Sequence, residues 1–77
     1  MADLVDNLLN LDENKLVYLK AYDVLGKEIF NMTGGKNSIM VQYNDKIKSC
    51  NPGIYLIQIR QEGESKLLNS KIYLTNQ

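Results

Sequence analysis

The reactive side chains of this sequence are a single cysteine, Cys50, two pairs of nearby carboxylates, Asp12/Glu13 and Glu62/Glu64, and four serines, Ser38, Ser49, Ser65 and Ser70. Hydrolytic or transfer chemistry would need one of these activated by a base, and the chain contains no histidine, the commonest general base and neutral metal ligand. A serine–lysine pair would need a buried, deprotonated lysine, and no lysine falls on an apolar face of the pattern. The carboxylate pairs lie in polar connecting stretches, where charge is ordinary. Gly34, Gly35 and Lys36 hint at a phosphate cradle, but Asn37 stands where the Walker pattern requires Ser or Thr, and four residues do not separate two glycines before the lysine. These residues predict no catalysis, no cofactor and no metal. Cys50 cannot form an intramolecular disulfide, so packing must hold the fold, and near Lys46 and Lys48 it reads as a half-buried thiol without a chemical role.

The five tyrosines, Tyr18, Tyr22, Tyr43, Tyr55 and Tyr73, offer a different chemistry, stacking on sugar rings. Tyrosine is also a standard strand residue that buries its ring and leaves its hydroxyl at an edge. Tyr43 and Tyr55 fall on apolar faces and are expected in the core. Tyr18, Tyr22 and Tyr73 remain as a possible platform if one exposed face carries all three. That arrangement would mark a carbohydrate-binding or adhesive accessory domain of a secreted protein.

The elements that must position these residues belong to a small unit. With 77 residues the chain is a single domain, residues 1–77, that buries about 60 to 65% of its unfolded surface. Nine basic residues balance nine acidic ones, which argues against nucleic acid and anionic lipid as partners. The longest apolar runs fall far short of the roughly 20 residues of a membrane span. The N-terminal residues lack the pattern of a signal peptide.

The most strand-like run is residues 51–60. Pro52 and Gly53 make a turn, and Tyr55, Ile57 and Ile59 then alternate as a core face. Residues 16–22 repeat the pattern with Val17, Leu19 and Ala21 inward, Asp23 to Gly26 forms a turn, and residues 27–32 return as its partner. The alternation of Ile39, Val41 and Tyr43 predicts a strand over residues 38–43. Residues 44–50 read as a short helical turn or crossover with Ile47 plugging the core. A first strand is expected over residues 7–11, although Leu4, Leu8 and Leu11 also fit helical spacing. Gly63 marks a hairpin loop before a last strand at residues 66–74, whose core face is Leu68, Ser70, Ile72 and Leu74, and a polar tail closes the chain at residues 75–77. The expectation is an all-β fold, a small antiparallel Ig-like β-sandwich of about six to seven short strands. A self-pairing module would dimerise through an edge strand such as residues 66–74.

Three pieces in order carry a resemblance: the apolar strand ending in Asp23, two residues, Gly26 and Lys27; the Pro52-Gly53-Ile54-Tyr55 strand start; and Gly63 followed by Lys71-Ile72-Tyr73-Leu74. Together they resemble the C-terminal sorting domain of proteins exported by the type IX secretion system of Bacteroidetes. The Asn-Pro pair that often opens the family is missing, and the chain runs past the last strand. The resemblance implies a non-catalytic signal that directs a covalently linked upstream cargo through the outer-membrane translocation machinery and is then usually removed by a sortase-like protease. It implies a secreted or cell-surface full-length protein that passes through the periplasm, of which this chain is an excised piece. Lys71, Ile72, Tyr73 and Leu74 are the expected recognition residues, while Asp23, Gly26, Pro52, Gly53, Tyr55 and Gly63 are expected to set turn and strand geometry.

Overall fold

The alternation of Val17, Leu19 and Ala21 with Tyr18, Lys20 and Tyr22 forms β1 (Val17–Asp23), a strand with one fully buried face. In the computed structural model, which describes residues 4–75, β1 is a central strand. On one side it pairs antiparallel with β2 (Glu28–Gly34), with Leu19 opposite Met32 and Ala21 opposite Phe30. On the other it pairs antiparallel with β3 (Gly53–Gln61), with Leu19 opposite Ile59 and Ala21 opposite Ile57. β4 (Leu68–Leu74) adds outside β3 through a hairpin, giving one four-stranded sheet in the order β2-β1-β3-β4.

Two helices cover one face of this sheet. Helix α1 (Leu4–Leu9) lies against β4 and helix α2 (Lys36–Ile47) against β2 and β1. Because β2 and β3 both run antiparallel to β1, they are parallel to each other, and α2 is the crossover that carries the chain over β1 between them. The core is what lies between the layers: Leu4, Leu8 and Leu11 from α1 and its exit, the inward residues of β1, β2 and β3, and Ile39 of α2, with Met40, Tyr43, Leu68 and Ile72 packed around it.

The expected six- to seven-strand Ig-like sandwich is therefore corrected to a two-layer arrangement, mostly β, in which helices replace the second sheet. Two segments account for the difference. Residues 7–11 are not a strand: Leu4 and Leu8 sit one turn apart on α1, and Leu11, in the bend just after it, is buried with them. The asparagine content that counts against a helix is offset, since the buried Asn7 amide donates to Ser70 Oγ at 2.7 Å. Residues 38–43 are not a strand either. Ile39, Tyr43 and Ile47 recur every four residues and turn toward the sheet, whereas Val41, the middle of the apparent alternation, is left 63% exposed. The expected crossover at residues 44–50 holds for its helical part, and Ile47 is half-buried. Residues 1–3 and 76–77 lie outside the described residues.

Tyr43, half-buried on α2 beside Cys50, has its phenol raised above the ordinary 10.0, first by burial and second by the charge of Cys50. A raised folded pKa means that the unfolded chain loses this proton first as pH rises. Stability from Tyr43 is thus complete below the unfolded value and is lost as pH climbs through the folded one. In urea titrations, the stability of the native chain relative to a Tyr43→Phe variant should be flat up to the ordinary tyrosine range and decline above it. In the same assay at neutral pH, Ile57→Ala, at a fully buried site, should cost about 2–5 kcal/mol, while Leu25→Ala, at a residue 90% exposed, should stay within about 0.5 kcal/mol.

Candidate recognition site

At one end of the sheet the ladder gathers residues that lie far apart in the chain. Asp23 of β1 stands opposite Tyr55 of β3, and Tyr55 stands opposite Ile72 of β4. One step along, Ile54 faces Tyr73 and Gly53 faces Leu74. The turn at Asp23–Gly26, the strand start at Pro52–Tyr55 and the closing residues Lys71, Ile72, Tyr73 and Leu74 thus form one continuous end of the molecule. Gly63 does not join them. It sits in the β3–β4 hairpin loop at the opposite end, in a left-handed conformation (φ 81°).

Each part of this end has a physical cause. The Asp23 carboxylate accepts hydrogen bonds from the backbone N–H groups of Leu25 and Lys27, both at 2.9 Å. The Gly26 N–H donates to the Asp23 carbonyl at 3.1 Å, and Gly26 takes φ 87°, which a residue with a Cβ avoids. The result is a tightly tied hairpin whose tip holds Val24 and Leu25, 65% and 90% exposed, in solvent. At the start of β3 the Tyr55 hydroxyl donates to the Asn51 carbonyl at 2.6 Å, folding the ring back over the Asn51-Pro52-Gly53 turn. Sequence reading places Tyr55 correctly in the core but gives no sign of this lock.

β4 itself is an edge strand. Ile72 and Leu74 face the helix layer half-buried, and Lys71 and Tyr73 point to the uncovered face, with Tyr73 65% exposed and the Lys71 ammonium 5.5 Å from its ring centre. A cavity of about 420 Å³ opens beside Tyr73 and Leu74 and is lined also by Ile47, Cys50 and Pro52.

The other candidate chemistries find no support in this geometry. Glu62 and Glu64 are engaged locally, Glu62 Oε1 by the Leu16 N–H and Glu64 by the Lys15 ammonium at 3.6 Å, while Asp12 Oδ1 accepts from the Asn14 N–H. Among the described residues no group of three or more Cys, Asp or Glu side chains could hold a metal ion. Cys50 Sγ donates to the Lys46 carbonyl at 3.4 Å, and Ser70 is buried against Asn7. Tyr18, Tyr22 and Tyr73 do share the uncovered face, but Arg60 lies 4.6 Å from the Tyr18 ring centre and Lys71 stands over Tyr73. A cation thus stands at one face of the Tyr18 and Tyr73 rings, and none is recorded at Tyr22. No helix among the described residues is long and apolar enough to cross a membrane.

Comparison with known families adds the deciding observation. The model of the secretion-system C-terminal sorting domain, the type IX signal, matches residues 5–74. The chain belongs to this family. No curated protein and no solved structure matches the chain. Membership makes the domain a secretion sorting signal and not a member of a known catalytic family. The matched span takes in every motif residue of the sorting domain described above, from Asp23 and Gly26 through Pro52, Gly53 and Tyr55 to Gly63 and Leu74.

Two features of the sorting domain lie outside what its motifs announce. The Gln61 side chain brackets Asp12, donating to its carbonyl at 2.9 Å and accepting from its N–H at 3.2 Å, and so ties the segment after α1 to the end of β3. The exposed Val24–Leu25 tip is the other; its only sequence sign is two apolar residues inside a turn.

Replacing Asp23 with alanine removes two charge-assisted bonds from the hairpin and should cost about 1–2 kcal/mol by urea denaturation. Asp23→Asn retains the side-chain oxygen and should cost less than half as much.

Proposed function

We propose that this sorting domain is a non-catalytic address label, a single domain over residues 1–77 of a longer secreted protein. It carries a covalently linked upstream cargo from the periplasm to the outer-membrane type IX translocation machinery. The family match over residues 5–74 carries this reading. The gathered end of the sheet supports it, because a signal read on a folded protein needs a rigid surface that local hydrogen bonds hold in place.

In this reading Lys71, Ile72, Tyr73 and Leu74 are the residues the machinery engages. Asp23, Gly26, Pro52, Gly53 and Tyr55 shape the adjoining turns, and Gly63 sets the distant hairpin. A sortase-like protease then cuts the chain on its cargo side, leaving the cargo secreted or held at the cell surface.

The test is transport. A fluorescent carrier with a signal peptide, fused ahead of this chain, should reach the medium or cell surface in a bacterium with a working type IX system and stay in the periplasm without one. Removing Lys71–Leu74 should trap it. Export that is equal in both strains, or that survives loss of those residues, would sink the corresponding claim. The mass of the exported carrier reports whether the domain has been cut away.

A further inference from the structure

The ladder determines which backbone groups of β4 face away from the sheet. The Glu62 N–H donates to the Leu16 carbonyl at 2.8 Å, so Leu16 and Glu62 are a hydrogen-bonded pair. Bonded pairs recur every second residue of an antiparallel ladder. Along the β1–β3 register the even-numbered residues of β3 therefore bond to β1, and the odd-numbered ones, Tyr55, Ile57 and Ile59, bond to β4. Their partners on β4 are Ile72, Ser70 and Leu68. The N–H and C=O groups of Asn69, Lys71 and Tyr73 are left pointing outward. An independent contact agrees: the Asn7 amide approaches the Asn69 carbonyl at 3.5 Å from outside the ladder. Among the described residues the outward groups of Lys71 and Tyr73 have no partner.

The two edges of the sheet differ. On β2 the same counting turns Ile29, Asn31 and Thr33 outward, but Ile29 is the extra residue of a bulge and the Thr33 carbonyl accepts from the Gln42 amide of α2 at 3.4 Å. Bulges and covering elements are how proteins blunt an edge. β4 keeps regular register over seven residues, contains no proline or glycine, and leaves the inward side chains Leu68, Ile72 and Leu74 half-exposed.

We propose that the outward edge of β4, at the backbone of Lys71 and Tyr73 and the N–H of Asn69, whose carbonyl Asn7 already engages, accepts an extended segment of a partner protein as a fifth strand. An acidic side chain of that segment stands opposite Lys71. The proposal rests on the reading of β4 as the recognition strand and names the mode of recognition. Unpaired backbone groups in a row select an extended partner, because only a strand offers donors and acceptors at the matching spacing. Its helix-side residues are apolar, to cover the open flanks of Leu68, Ile72 and Leu74. Charge sets the remaining choice. Lys71 has no carboxylate partner among the described residues. Antiparallel pairing of β4 with a second copy, in the register that overlaps the whole strand, would place Lys71 directly against Lys71, which is unfavourable. Shifts that separate the two lysines shorten the shared ladder. The same side chain thus disfavours self-pairing and favours a foreign strand carrying an acid.

The test needs no secretion system. Two nine-residue peptides alternating threonine and valine, one with glutamate and one with lysine at the centre, are titrated into the isotopically labelled chain while amide exchange is followed by NMR. The glutamate peptide should slow exchange at Asn69, Lys71 and Tyr73 and bind about 5-fold tighter than the lysine peptide, and Lys71→Glu should invert that preference. Tyr73→Pro removes an outward N–H without touching the bonds to β3, as edge positions tolerate, and should abolish binding. Should it disturb the fold, N-methylation of Tyr73 in a synthetic chain makes the same deletion. Unchanged exchange at these amides with either peptide, protection on β2 instead, or equal affinity for both peptides overturns the proposal. A concentration-dependent dimer protected at the same amides overturns it in favour of a second copy. A chain that is exported but binds no strand loses this mode of recognition alone, and one that binds but is not exported loses the sorting role alone.

Discussion

Drying one face of a four-stranded sheet is the constraint from which the other features of the molecule follow. Val17, Leu19 and Ala21 on β1 and Ile57 and Ile59 on β3 form the middle of that face, and none of them touches solvent. Among the described residues no second sheet covers them. Two helices of six and twelve residues do it instead, joining the sheet through Leu4, Leu8 and Ile39. Neither helix is long enough to be stable alone; each exists because the sheet needs a cover.

The buried polar pair at the α1–β4 contact shows how the cover is aligned. Asn7 and Ser70 are the polar residues of an otherwise apolar interior, and each supplies what the other lacks, an amide donor and a hydroxyl acceptor. Sliding α1 along β4 by one residue would leave both unpaired in the core, at a cost of about 1–3 kcal/mol for each orphaned group. An apolar pair would bind the helix as well but would fix its position less sharply. The Gln61 bracket on Asp12 does similar work at the surface, anchoring the exit of α1 to the end of β3.

Rigidity at the end of the sheet that carries the family motifs has the same origin in local bonds. Asp23 and Gly26 close one hairpin, and Tyr55 closes the turn before β3 through the Asn51 carbonyl. Register then does what no local bond could, setting Asp23, Tyr55 and Ile72 in one row across three strands. Motif pieces that lie far apart in the sequence become neighbours because antiparallel ladders fold the chain back on itself.

By itself the sequence determined the strands at β1, β2, β3 and β4, the inward residues of β1, β3 and β4 and the turns between them, together with two further strands that the structure does not contain. Period-two alternation at Val17–Ala21, Tyr55–Ile59 and Leu68–Leu74 marks strands, and Gly63 marks the hairpin loop, while the φ of 87° at Gly26 belongs to the structure. The order of the motifs was also enough to point to the sorting-domain family. Sequence did not determine residues 4–9 and 36–47, where short apolar spacings satisfy a helix and a strand equally well, as Ile39, Val41 and Tyr43 do. Only the tertiary structure decided between them, because the choice depended on what the finished sheet left uncovered: one apolar face, wide enough for two helices. It also decided the strand order, with β1 and β3 inside and β2 at the edge opposite β4, since order belongs to the assembled sheet and leaves no mark on any one strand.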